Sequence, residues 1–287
     1  MARIAYVNGR YVRLADAAVH VEDRGYQFAD GVYEVVGIHR GKMLDEIAHL
    51  DRLDRSLAAL EIAQPMGRAA LRSVMRETVR CNGITQGILY MQVTRGVAKR
   101  EHGFPAGSLK PALVMTVRTL KPASEMQLSQ GVGVITIADI RWKRPDIKSV
   151  SLLPNILGKE EAHRAGAFEA WMVDEGGWVT EGTSTNAWIV TADGHLVTRD
   201  ASHAILNGIT RMALLKIAAK AGFRFDERAF TVAEAKAARE AFLTSSTSWV
   251  MPVTSIDGAS IGNGHPGSLT MELRAAYGRE VAGEAAA

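Results

Sequence analysis

The chain has 287 residues, 47% of them hydrophobic and 23% charged, with 34 lysines and arginines against 31 acids for a net charge of +3. That balance fits a globular protein large enough for two domains and excludes a disordered, collagenous or disulfide-scaffold chain; the sole cysteine, Cys81, suits a reducing cytoplasm. A surplus of three charges with no basic stripe argues against a nucleic-acid partner, and no apolar run approaches the roughly 18–20 residues that cross a bilayer.

Met1 to Gly9 breaks its hydrophobicity too early for a signal peptide, and Ile4 to Val7 reads as a short strand ending on an Asn8-Gly9 hairpin turn. Val32 to Ile38 is rich in β-branched residues, and Arg40-Gly41 turns it back toward Lys42 and Leu44. Ile47, Leu50, Leu53, Leu57 and Leu60 recur at helical steps and predict one buried face. A second helix is expected from Arg68 to Arg80, then strands at Gly87 to Arg95 and Ala112 to Val117 around a Gly/Pro-broken loop. The polar stretch Leu120 to Glu125 is the candidate linker.

Beyond it, the pattern predicts a strand at Val132 to Ile137 and a helix at Asn155 to Ala165. Hairpins follow, joining Ala170–Val173 to Trp178–Thr180 and Ala187–Val190 to His195–Val197. Helices are expected at Ile209 to Ala221, near Val232 to Glu240 and at Gly267 to Tyr277, with a strand at Ala241 to Thr244. The expectation is an α+β (mixed α/β) protein with a small N-terminal domain over residues 1–121 and a larger domain over 122–287.

Dinucleotide-binding, Walker A, nucleophile-elbow and zincin signatures are absent, and the eight histidines offer no zinc-ligand spacing, so no metal is expected. Lys148 sits between Ile147 and Val150. It is either a snorkelling lysine at a strand end or an amine driven by burial to lose its proton and act as a nucleophile. Glu181, between a strand and the hydroxyl-rich Gly182 to Asn186 turn, could hold a protonated heterocyclic nitrogen or simply face solvent.

Gly208, Ile209 and Thr210 open a helix, where free N–H groups and the dipole favour an anion. Ser245 and Ser246, within Thr244-Ser-Ser-Thr-Ser248, offer hydroxyls, and Arg52 offers a guanidinium fork for phosphate oxygens. Arg100 and His102, two apart in a loop, could grip one carboxylate or be solvated.

Taken together, Glu22-Asp-Arg-Gly-Tyr-Gln-Phe-Ala-Asp-Gly-Val-Tyr-Glu-Val-Val36, Gln92-Val-Thr-Arg-Gly96, Arg100-Glu-His102 and Asp139-Ile-Arg-Trp142 resemble blocks of the class IV (fold type IV) pyridoxal-phosphate aminotransferases. Asp146-Ile-Lys-Ser149, Lys159-Glu-Glu-Ala-His163, Thr180-Glu-Gly-Thr-Ser-Thr-Asn186, Gly208-Ile-Thr-Arg211 and Thr244-Ser-Ser-Thr-Ser248 continue the match in the family's order. The likeness is greatest to the branch acting on D-amino acids. It implies transfer of nitrogen from D-alanine to 2-oxoglutarate, giving pyruvate and D-glutamate by a ping-pong Schiff-base mechanism.

It also implies a fold with a barrel-like core in its larger domain, pyridoxal 5'-phosphate as cofactor, and a cytoplasmic homodimer with its active site between the two domains. Residue by residue, it makes Lys148 the lysine joined to the cofactor and the carrier of the Cα proton, and Glu181 the partner of the pyridine nitrogen. Arg52, Gly208, Ile209, Thr210, Ser245 and Ser246 fall on cofactor-binding positions. Tyr33, Arg100 and His102 fall on the α-carboxylate trap, the last two from the neighbouring subunit. Branched-chain L-amino-acid aminotransferases and aminodeoxychorismate lyases share the fold and are the alternatives. A cofactor-free binding protein on the same scaffold is the alternative from another class. Lys143-Arg-Pro145 and Trp249-Val-Met251 depart from the pattern and bear on the acceptor range.

Overall fold

The computed structural model describes residues 3–286, with side-chain surroundings for residues 3–283. The chain divides into two compact units. One holds the described residues up to Lys121 together with Ile147–Ser151, and the other holds Pro122–Asp146 and Leu152–Gly283.

In the first unit, β1 (Ile4–Val7) and β2 (Arg10–Arg13) form a hairpin. Asn8 and Gly9 turn it at φ 48° and 98°, the two positive values that a tight hairpin turn requires. Then come α1 (Arg24–Phe28), β3 (Gly31–His39), β4 (Lys42–Met43), α2 (Glu46–Ala59), α3 (Arg68–Asn82), β5 (Gln86–Thr94) and β6 (Ala112–Thr119). The strands make one antiparallel sheet in the order β2-β1-β6-β5-β3-β4. Leu50, Leu53 and Leu57 of α2 and Leu71, Met75 and Val79 of α3 pack with Val32, Val36, Leu89 and Met91 of the sheet.

The buried stripe of α2 differs from the expected one. Ile47, in its first turn, is exposed, whereas His49, Arg52 and Ser56 are buried alongside the leucines.

Because β4 pairs with β3 only at Ile38 and His39, the start of β3 has an open edge on that side. Ile147–Ser151 fills it: Tyr33 N–H donates to the Lys148 carbonyl (3.0 Å), Val150 N–H donates to the Gly31 carbonyl (3.0 Å), and Ser149 bridges Val32. Ile147 enters the core beneath. The lysine segment expected within 122–287 therefore packs with the first unit, because its main chain completes that unit's sheet.

Residues 120–124, the body of the expected linker, have no helix or strand and carry the boundary at Lys121 and Pro122; α4 (Glu125–Gln130) starts on the linker's last residue. Ser124 and Gln127 form a reciprocal capping box that starts the helix. The order continues β7 (Val132–Ala138), α5 (Leu153–Arg164), β8 (Glu169–Val173), β9 (Val179–Gly182), β10 (Asn186–Val190), β11 (Leu196–Thr198), α6 (Ile209–Lys220), β12 (Phe225–Glu227), α7 (Val232–Lys236), β13 (Glu240–Ser245), β14 (Trp249–Ile256), β15 (Ala259–Ser260) and α8 (Ser268–Ala286). The sheet runs β12-β11-β10-β13-β14-β7-β8-β9, with β15 on β14. Its last strand returns to β10 through a turn closed by Gly182 N–H to the Thr185 carbonyl (2.7 Å). The sheet thus curls into a half-barrel around Trp171, Phe230, Leu243 and Met251.

Several elements depart from expectation: α1 and β12 were not expected, and α8 runs on to Ala286 past the expected end at Tyr277. α7 ends at Lys236 instead of reaching Glu240, because buried Glu240 belongs to β13 and its carboxylate caps α8 by accepting the N–H groups of Leu269 (3.2 Å) and Thr270 (2.8 Å). β14 is a strand where none was expected; it contains Pro252, which pairs with Phe242 just before the β7 pairing begins at Val253. Among the described residues, no helix is long and apolar enough to cross a membrane.

Candidate active site

The pleat of β3 sorts its side chains. Val32, Glu34 and Val36 are buried, while Tyr33 and Val35 share a half-buried face with Tyr90 and Gln92 of β5. Lys148 reaches this second face, its Nζ 4.2 Å from the centre of the Tyr33 ring. Its main chain is fixed at both ends of the residue, by Tyr33 N–H on its carbonyl and by its own N–H on Ser56 Oγ (3.3 Å). Tyr33 leans on Tyr90 at 5.7 Å, and the Tyr90 hydroxyl donates to Gln92 Oε1 (2.7 Å). Burial, with Tyr33 nearby, pushes the Tyr90 phenol up to about 12, so it stays a neutral donor. The result is one amine held over an aromatic platform on rigid backbone.

On the opposite face of β3, Glu34 is fully buried and accepts from Arg52 Nε and Nη2 (both 2.8 Å) and pairs with His49 Nδ1 (2.7 Å). Burial alone would raise the pKa of Glu34, but Arg52 and His49 bring it down to about 2. Burial also lowers the pKa of His49, against the pull of Glu34. Arg52, expected at a phosphate, is thus a buried guanidinium whose plane is set by a two-point grip from Glu34.

Arg100 and His102 are both exposed, and both lie against Phe28: the Arg100 guanidinium carbon is 5.1 Å and the His102 ring 5.6 Å from its ring centre. The structure brings these two residues together on one aromatic side chain.

In the second unit, Glu181 is the penultimate residue of β9 and is buried. Its Oε1 accepts from Arg141 Nη1 and from Leu206 N–H (3.1 Å), and its Oε2 accepts from Asn186 Nδ2 (3.0 Å). Arg141 is in turn held by Asp139 through Nε (2.9 Å) and Nη2 (2.7 Å), and Thr180 Oγ1 donates to the same acid (2.7 Å). Burial works against the charge on both partners. Their mutual hydrogen bonds prevail, raising the pKa of Arg141 and holding Asp139 below the usual carboxylate range.

Asn186 ties this acid to the start of α6, since the same Nδ2 donates to the Leu206 carbonyl (2.9 Å). Gly208 is the N-cap of α6, and no side chain caps that terminus even though Ile209 and Thr210 are buried. A Cβ on Gly208 would lie 2.1 Å from Asn186 Oδ1, so only glycine fits there. A buried helix start without a side-chain cap is suited to a bound anion. Ser245 organises the turn after β13, accepting N–H groups from Thr247 (3.3 Å) and Ser248 (3.0 Å), and Ser246 lies in that turn.

Among the described residues no group of three or more His, Cys, Asp and Glu is placed to hold a metal ion. Sequence reasoning passed over Arg141, Asp139, Asn186, Glu34 and His49 as site residues. Arg141, Asp139, Asn186 and Glu34 stood inside the matched blocks, but their pairing is set by strand faces and turns, which spacing does not reveal.

A class IV amino-transferase family model matches residues 31–256. The chain is 43% identical to the D-alanine aminotransferase of Bacillus licheniformis over 97% of each chain. It is 42% identical to the D-alanine aminotransferase of Listeria monocytogenes serotype 4b, over 96% of this chain and 95% of that one. Among solved structures it resembles the branched-chain amino acid aminotransferase of Thermoproteus uzoniensis with norvaline: the TM-score is 0.87 at 25% identity, covering 99% of this chain and 96% of that chain. The matched stretch runs from the first residue of β3 to the last of β14 and takes in the amine over Tyr33, the braced acid and the uncapped helix start. The half-barrel fold, the chemistry it carries and the end-to-end likeness agree: the chain belongs to the class IV aminotransferase family.

Proposed function

We propose that this protein is a pyridoxal 5'-phosphate-dependent D-amino-acid aminotransferase, which passes the amino group of D-alanine to 2-oxoglutarate to give pyruvate and D-glutamate. The observation that carries the choice of substrate is the near-full-length likeness to D-alanine aminotransferases, against a lower identity to the branched-chain enzyme. The Arg100 and His102 pair on Phe28 supports it as a carboxylate grip. Assembly as a cytoplasmic homodimer, with that loop serving the neighbouring copy, belongs to the same reading.

The residues present fit the cofactor. The uncapped N–H groups at Ile209 and Thr210, the Ser246 turn and the oriented Arg52 guanidinium are donors for a phosphate, and Glu181 is an acceptor for a pyridinium N–H. Pyridoxal phosphate, when bound, supplies an aldehyde and a ring that takes up negative charge from a substrate carbon losing its proton.

The chain's own groups do the rest. Glu181 would accept from the protonated pyridine nitrogen, and Arg141, Asn186 and Leu206 N–H hold and aim that carboxylate. Lys148 Nζ takes the proton from the substrate Cα and returns it during nitrogen transfer. Tyr33, Arg100 and His102 hold the α-carboxylate so that the Cα–H bond faces the amine. Donor and acceptor use the same subsites in turn, so the kinetics are ping-pong.

The direct test is turnover of both enantiomeric classes with 2-oxoglutarate. D-alanine is expected to outpace L-leucine in kcat/KM by on the order of a hundredfold. Equal or faster turnover of L-leucine would replace this reading with the branched-chain one, and failure to bind pyridoxal phosphate would return the chain to a cofactor-free binding protein.

A second test addresses the phosphate cup. Gly208→Ala keeps an allowed backbone, at φ −66°, but drives its Cβ into Asn186. Titration of the apoprotein with pyridoxal phosphate should show affinity lowered by about tenfold or more. Unchanged affinity would remove the α6 terminus from the cofactor site.

A further inference from the structure

Arg24, the first residue of α1, is almost fully buried at 3% exposure and has no part in the roles assigned above. Its guanidinium is divided among three acceptors. Nε donates to Asp30 Oδ2 (2.7 Å), Nη1 to the Glu101 carbonyl (2.7 Å) and Nη2 to the His102 carbonyl (3.5 Å). Its carbon lies 4.8 Å from the centre of the Phe28 ring, the ring against which Arg100 and His102 rest.

The far end of the grip is equally fixed. Asp30 also accepts from Arg95 Nε (2.8 Å) and Nη2 (3.0 Å), and Arg95 holds the carbonyls of Leu60 (2.7 Å) and Glu61 (2.9 Å). Burial opposes the charge on Asp30, but the two arginines outweigh it and hold its carboxyl below the usual range. The loop itself has no strand or helix over Lys99–Pro105, and its side chains at 99–104 are exposed; Arg95 also packs on it, 3.8 Å from the Phe104 ring centre, while Arg24 is the buried side chain that holds the main chain at Glu101 and His102.

We propose that Arg24 is a positioning residue for α-carboxylate recognition. It pins the main chain at Glu101 and His102 and, through Phe28, sets the separation and direction of the Arg100 and His102 side chains before substrate arrives. This rests on the carboxylate role proposed for those two residues. Three acceptors in different directions need a planar fork. Lysine, a single ammonium on a flexible stem, keeps the charge and loses the geometry.

The test compares Arg24→Lys, Arg24→Met and Arg100→Met as cofactor-loaded enzymes, reading kcat and KM for D-alanine and the cofactor's absorbance. In both Arg24 variants, KM should rise by about tenfold with kcat within about threefold and an unchanged spectrum, since a charge-assisted positioning contact is lost while the proton-transfer groups stay in place. A merely structural role would lower the yield of active enzyme and leave KM alone. Unchanged KM in folded Arg24→Lys, alongside a raised KM in Arg100→Met, would overturn the Arg24 assignment and leave the proposed function standing. Unchanged KM in Arg100→Met would overturn the carboxylate role itself. Should both Arg24 variants fail to fold, Phe28→Leu removes the shared aromatic support; a raised KM there sustains the proposal, and an unchanged one overturns it.

Discussion

Lys148→Ala is expected to lower transamination by a factor on the order of 10⁴ while the protein stays folded, because the substitution removes the group that moves the Cα proton. The fold should tolerate it, since what this residue gives the first unit is main chain. Its carbonyl accepts from Tyr33 N–H and its N–H donates to Ser56 Oγ, and both bonds survive in alanine. The lost side chain is half-buried and lies against the Tyr33 ring, so no large cavity opens in the core. Turnover with D-alanine, alongside thermal unfolding, checks both halves. A folded variant with turnover near the parent's would strip Lys148 of its role.

The second large effect is on stability. Glu34→Ala leaves the Arg52 guanidinium and His49 buried without their shared carboxylate, a loss of about 3–5 kcal/mol for breaking a buried pair. Glu34→Leu combined with Arg52→Met replaces both charges with apolar volume and should recover most of that loss. Denaturant unfolding of the three proteins distinguishes the cases; a single variant as stable as the parent would show that the pair does not anchor β3 to α2.

Acid should act on the same group. In the fold Glu34 stays ionised down to about 2, against an ordinary 4.5, so its stabilisation is complete above about pH 4.5 and drains away as pH falls through about 2. His49, held neutral by burial below its ordinary 6.5, adds a loss of the same sign, because the unfolded chain gains a proton there first on acidification. Glu34→Ala should therefore flatten the decline of stability between about pH 4.5 and 2.

Much of this architecture is legible in the sequence. The Asn8-Gly9 turn, the leucines of α2 and the strands on either side of the Gly96 to Pro111 loop follow from periodicity and turn chemistry. What escaped has physical causes. A hydrophobic stripe cannot announce that His49, Arg52 and Ser56 share its buried face, since that depends on Glu34 waiting across the gap. The linker at residues 120–124 is legible, but the short helix that the Ser124 and Gln127 capping box starts just beyond it is not, because Glu125–Gln130 is too short and polar to show a periodic apolar face. β14 contains Pro252, and proline is poor in strands unless, as here, the second pairing starts after it. Lys148 stood out as an amine among aliphatic residues, but its attachment to the open edge of β3 is a tertiary pairing between distant segments. Glu181 likewise stood out as the one acid before a hydroxyl-rich turn, while the Arg141 and Asn186 that brace it emerged only from the curl of the sheet.

The most direct measurement is borohydride reduction of the protein loaded with pyridoxal phosphate, followed by proteolysis and mass mapping. The account requires the phosphopyridoxyl mass on the peptide containing Lys148. Its appearance on another lysine, or its absence from a protein that turns over D-alanine, would contradict it.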